Sequence, residues 1–190
     1  MRGSRFGGWA PYGLAALLVA AMTNLVVILL VPSVATHGAY ARLSEMGPVN
    51  ATISLPQASP AERTLPFLDP AVAMSFCRFD LSAGPVRVAA PTGRAGYASL
   101  SVHTRLGAVA YALTDKAASH GKLEAVIVTA SQLRALKAAE DEDNPSEDLR
   151  IVSATEKGYA ILRVFSELPG LYPDAEAQAG QLSCRPEPTQ

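Results

Sequence analysis

Between Pro11 and Pro32 the chain reads YGLAALLVAAMTNLVVILLV, an unbroken run from Tyr12 to Val31 without a charged side chain. At about 1.5 Å per residue such a run makes a helix roughly 30 Å long, the thickness of a bilayer's hydrocarbon core. One membrane-spanning helix over 12–31 is therefore expected, and the rest of the chain must fold on one side of it. The run accounts for part of the 49% hydrophobic content and leaves an ordinary remainder, long enough for one core.

Arg2 and Arg5 precede the run with no acidic residue, whereas Arg42 behind it is balanced by Glu45. The positive-inside bias then puts residues 1–11 in the cytoplasm and everything after the helix outside. A cleavable signal peptide is the competing reading, because Ser33-Val34-Ala35 has the small-x-small form of a cleavage site; the apolar stretch exceeds the usual signal core, which favours a retained anchor. Gly13, Ala16, Ala20 and Asn24 follow one another at spacings of three and four. Small residues let helices approach closely and an Asn amide in lipid seeks a partner, so this face is a candidate helix–helix contact, although it lacks a strict GxxxG.

The chain has two cysteines, Cys77 and Cys184, both in the part expected outside the cytoplasm, where disulfides persist. One disulfide between them is the most economical reading. Two free thiols, or Cys77 as a nucleophile with His103 or His120, are the alternatives, and no local Cys-His signature supports the latter.

Residues 32–63 carry Pro32, Pro48, Pro56 and Pro60 among Gly, Ser and Thr and read as a stalk, with only AYARLSEM briefly helical. A globular domain is expected over 64–186, with a tail at 187–190. Within it Asp69-Pro70 resembles an N-cap and first-turn pair and predicts a short helix from Pro70 to about Arg78. GPVRVAA, YASLSVHT and AVAYALT read as strands, the last placing Val109, Tyr111 and Leu113 on one face. LEAVIV suits a central strand. Thr129 with Gln132 forms a capping box for a helix to about Glu140. LRIVSA and YAILRVFS are further strands joined by TEKG, and Pro173 opens a last helix, PDAEAQAGQLSC. The order predicts an α+β, β-rich domain with a mainly antiparallel sheet and two or three short helices.

LPFLDPAVAMSFCRFDLSAGPVRVAAP, YASLSVHTRLGAVAYAL and LEAVIVTASQ, in that order, resemble the small bacterial integral membrane proteins that carry the domain of unknown function 1254. The resemblance implies a membrane-anchored envelope domain with that family's β-rich fold, often encoded beside a sister protein bearing a related domain, and no established activity. The chain departs from the family's pattern at Ala98 and at His103-Thr104-Arg105.

The candidate chemistry is sparse. His37, His103 and His120 are scattered, with no HxH or HxxxH spacing for a metal. His103 with Arg105 and Asp115 is the one cluster to test, as a weak binding site to which Arg87 is added. Arg78, Arg87, Arg105 and Arg163 sit in or beside strands and could bind a carboxylate or phosphate headgroup; pairing with Asp80, Glu124 and Glu156 at the sheet surface is the plainer expectation. The acidic run Glu140 to Asp148 lacks the spacing of a calcium loop and reads as solvated. There is no GxSxG, P-loop or dinucleotide fingerprint. With a formal net charge of -1 no nucleic acid is expected, and no cofactor or metal is expected either. What remains is a membrane-anchored binding or assembly module, partnered by another envelope protein, such as a sister-domain membrane protein, or by a second copy. The alternatives are a periplasmic-face enzyme or a small-ligand or lipid carrier using the surface around His103.

Overall fold

The computed structural model describes residues 9–34, 38–59, 65, 68–93, 96–140 and 146–187. Arg2, Arg5, the cleavage position Ala35, His37, Pro60 and the acidic residues 141–143 lie outside them. The chain forms two units, residues 1–37 and 38–190.

In the first unit α1 runs from Ala10 to Val34. It extends past the expected 12–31 at both ends, because Pro11 falls in the first turn, where a missing N–H costs nothing. Within Ala10–Val31 an 18-residue window reaches a mean hydropathy of 2.7, and the segment is long and apolar enough to cross a membrane. Apolar side chains point in every direction around it; Leu17, for example, is 70% exposed. A helix apolar all round needs lipid or a partner chain to cover it.

The second unit holds α2 (Ala39–Met46), β1 (Thr52–Ser54), β2 (Val72–Asp80), β3 (Val86–Pro91), β4 (Ala98–Thr104), β5 (Val109–Thr114), β6 (Lys122–Val128), α3 (Ala130–Ala139), β7 (Arg150–Val152), β8 (Lys157–Phe165), α4 (Tyr172–Ala179) and β9 (Ser183–Pro186). The strands form two sheets rather than one: a five-stranded sheet ordered β1-β2-β8-β4-β5 and a four-stranded sheet ordered β7-β6-β3-β9. Every pairing is antiparallel except β6 with β7. Ala73, Cys77, Phe79, Leu100, Val102 and Leu162 of the large sheet meet Val86, Val88, Leu123, Ile127 and Cys184 of the small one in a single buried cluster, into which α4 inserts Tyr172, Ala175 and Ala179. The domain is thus α+β with mainly antiparallel sheets, as expected.

Three local expectations change. The segment Pro70–Arg78 is not a helix but belongs to β2, because Asp69 closes a turn: its Oδ1 accepts from the Ala71 N–H at 2.9 Å, and its carbonyl accepts from Val72. Val72, Met74 and Phe76 therefore express a period of two, blurred by burial on both faces. The last helix stops at Ala179, and Gly180 turns the chain into β9, which carries Cys184. The strands flanking TEKG form no hairpin, since β7 joins the small sheet and β8 the large one.

The stalk expected over 32–63 contributes to the domain within its described part. α2 buries Leu43, and β1 pairs with β2, Ile53 opposite Phe76. Leu43, Leu55, Phe76 and Tyr159 form a second buried cluster with Tyr40, Met46, Ile53 and Ile161 packed around it. The large sheet accordingly has one face in the main core and, over β1, β2 and part of β8, its other face under α2.

Close approach decides one glycine. A Cβ on Gly158 would collide with the His103 carbonyl and the Phe79 ring, so only glycine lets β8 lie this near β4. The capping box at α3 is present as expected, with Thr129 Oγ1 accepting from the Gln132 N–H at 3.2 Å and Gln132 Oε1 from the Thr129 N–H at 2.8 Å.

Candidate functional site

Register places the expected site residues. His103 lies opposite Tyr159 of β8 and Val109 of β5, and Ser101 opposite Ile161 and Ala112. Ser99 lies opposite Arg163 on one side and Thr114 on the other, and Met74 faces Arg163 from β2. These side chains occupy the outer face of the large sheet, Tyr159, Ile161 and Met74 within the cluster under α2 and Ser99, Ser101, His103 and Arg163 beside it.

The His103 ring stacks on Tyr159, centroids 4.8 Å apart and planes at 4°. Its Nε2 is 2.9 Å from Ser101 Oγ and its Nδ1 3.5 Å from the Gly107 carbonyl. Arg163 Nη1 donates to the same Ser101 oxygen at 3.0 Å. The Ser101 hydroxyl thus accepts from Arg163 and has two neighbours within reach of its single proton, His103 Nε2 at 2.9 Å and the Ile161 carbonyl at 3.5 Å. Burial holds the His103 pKa below its ordinary 6.5, opposed by the Gly107 carbonyl and reinforced by the Arg163 charge. Burial also lowers Arg163 from the usual arginine range and raises Tyr159 from the usual phenol range. Ser101 is only 6% exposed, so its hydroxyl relays between two neighbours rather than meeting a substrate as a nucleophile.

The structure does not assemble the cluster expected from sequence. Asp115 follows β5 at the end where Thr114 faces Ser99, four residues along β4 from His103, about 13 Å at strand rise. Strand register, invisible in the sequence, separates them. Arg105 is exposed in the β4–β5 turn, where its N–H donates to Thr155 Oγ1. Arg87 belongs to another place altogether, the small sheet, where it pairs with Glu124 at 2.7 Å, Asp148 at 2.8 Å and Glu187. Of the anticipated surface pairs only Arg87–Glu124 forms; Asp80 pairs instead with Lys157 at 3.2 Å. Arg78 donates to the Gly47 carbonyl, its guanidinium 5.5 Å from the Tyr40 ring centre. The residues that sequence reasoning left out of the His103 site, Ser101 and Arg163, are those that touch it or its hydrogen-bond partner; the i, i+2 spacing of Ser101 and His103 on a strand was the available signal.

A second feature adjoins this face. β5 ends the large sheet, with no strand among the described residues hydrogen-bonded to its outer side. Val109 is 61% exposed and Tyr111 45%, with Leu106 at 79% in the preceding turn, while Leu113 alone turns fully into the core. Tyr111, opposite Val102, keeps Leu113's face but lies half-exposed, whereas Val109 turns to the outer face opposite His103, because the register shifts at a bulge between Val102 and His103. The strand carries no charge and no proline, whereas the other edges are shorter: β1 and β7 have three residues each, and β9 has four and ends on Pro186.

Cys77 of β2 and Cys184 of β9 form a disulfide between the two sheets, which ends the nucleophile reading of Cys77. Among the described residues no group of three His, Cys, Asp or Glu side chains could hold a metal. Gly13, Ala16, Ala20 and Asn24 lie along α1, and Gly13 has open space around its Cα.

Residues 49–186 match the family described as protein of unknown function, DUF1254. The chain belongs to that family. The match begins just before β1 and ends with β9. No curated protein matches the chain. Among solved structures the fold is similar to that of the VPA0106 protein from Vibrio parahaemolyticus, with a TM-score of 0.54 and 13% identity over 80% of this chain. An uncharacterized protein from Burkholderia cenocepacia matches over the same share at 16% identity and a TM-score of 0.46. The chain spans 36% of the first solved chain and 41% of the second. An apolar N-terminal helix and an intramolecular disulfide, together with this DUF1254 domain, are the features of a secreted or membrane-anchored protein.

Proposed function

We propose that the chain is a single-pass protein of the bacterial cytoplasmic membrane, its N-terminus in the cytoplasm, whose DUF1254 domain works outside as a binding or assembly module of the envelope. The observation that carries this reading is the β5 edge: six residues of uncharged strand with no partner strand on their outer side among the described residues, including exposed Val109 and Tyr111 and preceded by exposed Leu106. Edges of this kind recruit another strand unless something blunts them. The partner is another envelope polypeptide or a second copy, joined along β5, with the Gly13, Ala16, Ala20 and Asn24 face of α1 as a further contact in the membrane.

The test is photo-cross-linking of the full-length chain in its own host, with the reactive side chain placed in turn at Val109, Tyr111 and, as a control on α4, Asp174. An adduct of one defined mass from the β5 positions and none from Asp174 is the expected outcome. Equal adducts everywhere, or none at Val109 and Tyr111, would refute the assembly role.

A further inference from the structure

The arginines of the domain are held in unlike ways. Arg87 meets three carboxylates, and Arg150 meets Glu140 at 2.9 Å. Arg78 is shared between a carbonyl and an aromatic face. Arg163 is half-buried, yet its recorded polar contact is a single neutral hydroxyl, Ser101 Oγ. Its remaining guanidinium nitrogens are not among the fully buried groups that lack a partner. A guanidinium has five N–H donors in a planar fork matched to carboxylate and phosphate oxygens.

Register surrounds that fork with donors. Ser99 lies directly across from Arg163, Thr114 directly across from Ser99, and Ser101 is already bonded to the fork. The Ser99 and Thr114 hydroxyls make no recorded hydrogen bond among the described residues, and Thr114 caps nothing with its side chain. The outward positions of β4, β5 and β8 across this region, Ser99, Ser101, His103, Val109, Ala112, Thr114, Tyr159, Ile161 and Arg163, include no carboxylate. The acidic residue at the same face of β2, Asp80, sits six residues along β8 from Arg163 and is engaged by Lys157. A partly desolvated cation with free donors, ringed by hydroxyls and without a counter-charge, is the arrangement that an oxyanion completes.

We infer that Arg163, with the hydroxyls of Ser99 and Thr114, binds a small oxyanion, a carboxylate or phosphate group carried by a soluble molecule or by a lipid headgroup, while Ser101 holds the guanidinium in place. The inference adds a ligand class to the binding-module reading. It uses the sheet face, not the β5 edge, so a failed cross-link at Val109 leaves it intact.

The experiment is a titration of the full-length protein in nanodiscs of zwitterionic lipid with inorganic phosphate and, separately, succinate at constant ionic strength, following the Arg Nε–H resonances by NMR. A saturable shift confined to Arg163 is expected, and calorimetric titration of Arg163→Met, which has no such resonance to follow, is expected to show binding weakened about tenfold or more, as loss of a charge-assisted bidentate contact predicts. Ser99→Ala keeps the charge and is expected to weaken binding about threefold, which guards against misfolding of the Met variant. A linear drift shared by Arg134 and Arg185, or an Arg163 shift that Ser99→Ala leaves unchanged, would overturn the inference. Repeating the titration in nanodiscs containing phosphatidylglycerol separates the sources: a lipid headgroup shifts Arg163 before phosphate is added, and a soluble ligand does not.

Discussion

At the residue scale the chemistry turns on His103, whose i+2 relation to Ser101 brings a hydroxyl to its Nε2 while Tyr159 covers its ring. Burial and Arg163 both disfavour the imidazolium, so the folded pKa lies below the unfolded one near 6.5. The sign follows: the native state resists protonation, and stability present at neutral pH declines as pH falls below the unfolded value toward the folded one. The groups acting on His103 are Ser101 and Gly107 of its own strand and turn, and Tyr159 and Arg163 of β8; the facing residue of β5, Val109, is uncharged. An NMR titration of the His103 ring is expected to give a midpoint below 6.5, moving upward in Arg163→Met. An unchanged midpoint in that variant would show that the arginine does not reach the ring.

At the element scale three segments are tied through one side chain. Arg87 on β3 reaches Glu124 on β6, Asp148 ahead of β7 and Glu187 after β9. Arg87 lowers the Asp148 pKa, so this contribution is complete above the unfolded value near 3.8 and is lost as pH falls through the folded one. Each member is about a third exposed, and solvent screening discounts the pairs. Arg87→Met is expected to cost about 1–2 kcal/mol at neutral pH and to flatten the acid limb of stability between roughly pH 5 and 3. Urea denaturation of both proteins across that range measures it. The elements themselves were legible where their signals were local. The Thr129–Gln132 box marked the start of α3, and the apolar run of β6 marked a central strand. They were illegible where a local signal had two meanings: Asp69-Pro70 suits a helix start and an Asx turn alike, and only the antiparallel partner β8 selected the strand.

At the scale of the whole molecule the disulfide joins the two sheets across a separation of 107 residues. In the chain-entropy model, closing so long a loop limits the unfolded ensemble by about 4–5 kcal/mol. The double variant Cys77→Ala, Cys184→Ala is expected to lose about that much, read as a lower midpoint in guanidinium with an unchanged domain fold by circular dichroism. A midpoint within error of the parent would mean the sandwich core alone sets stability.

From its residues alone the chain determined an apolar helix of membrane-spanning length, a pair of cysteines suited to one disulfide, a β-rich α+β domain and the DUF1254 resemblance. These depend on composition and on periodicity along the chain, which neighbouring residues express without help. The tertiary structure decided the rest: two sheets in place of one, α2 and β1 drawn into the domain, Asp115 and Arg105 set apart from His103, and Arg163 brought to Ser101. Those outcomes depend on which strands pair and in what register, and a shift of one residue reverses the face that every side chain presents. The pairing is selected by the fit of Gly158 against β4 and by a core assembled from both sheets, contacts between residues far apart in sequence.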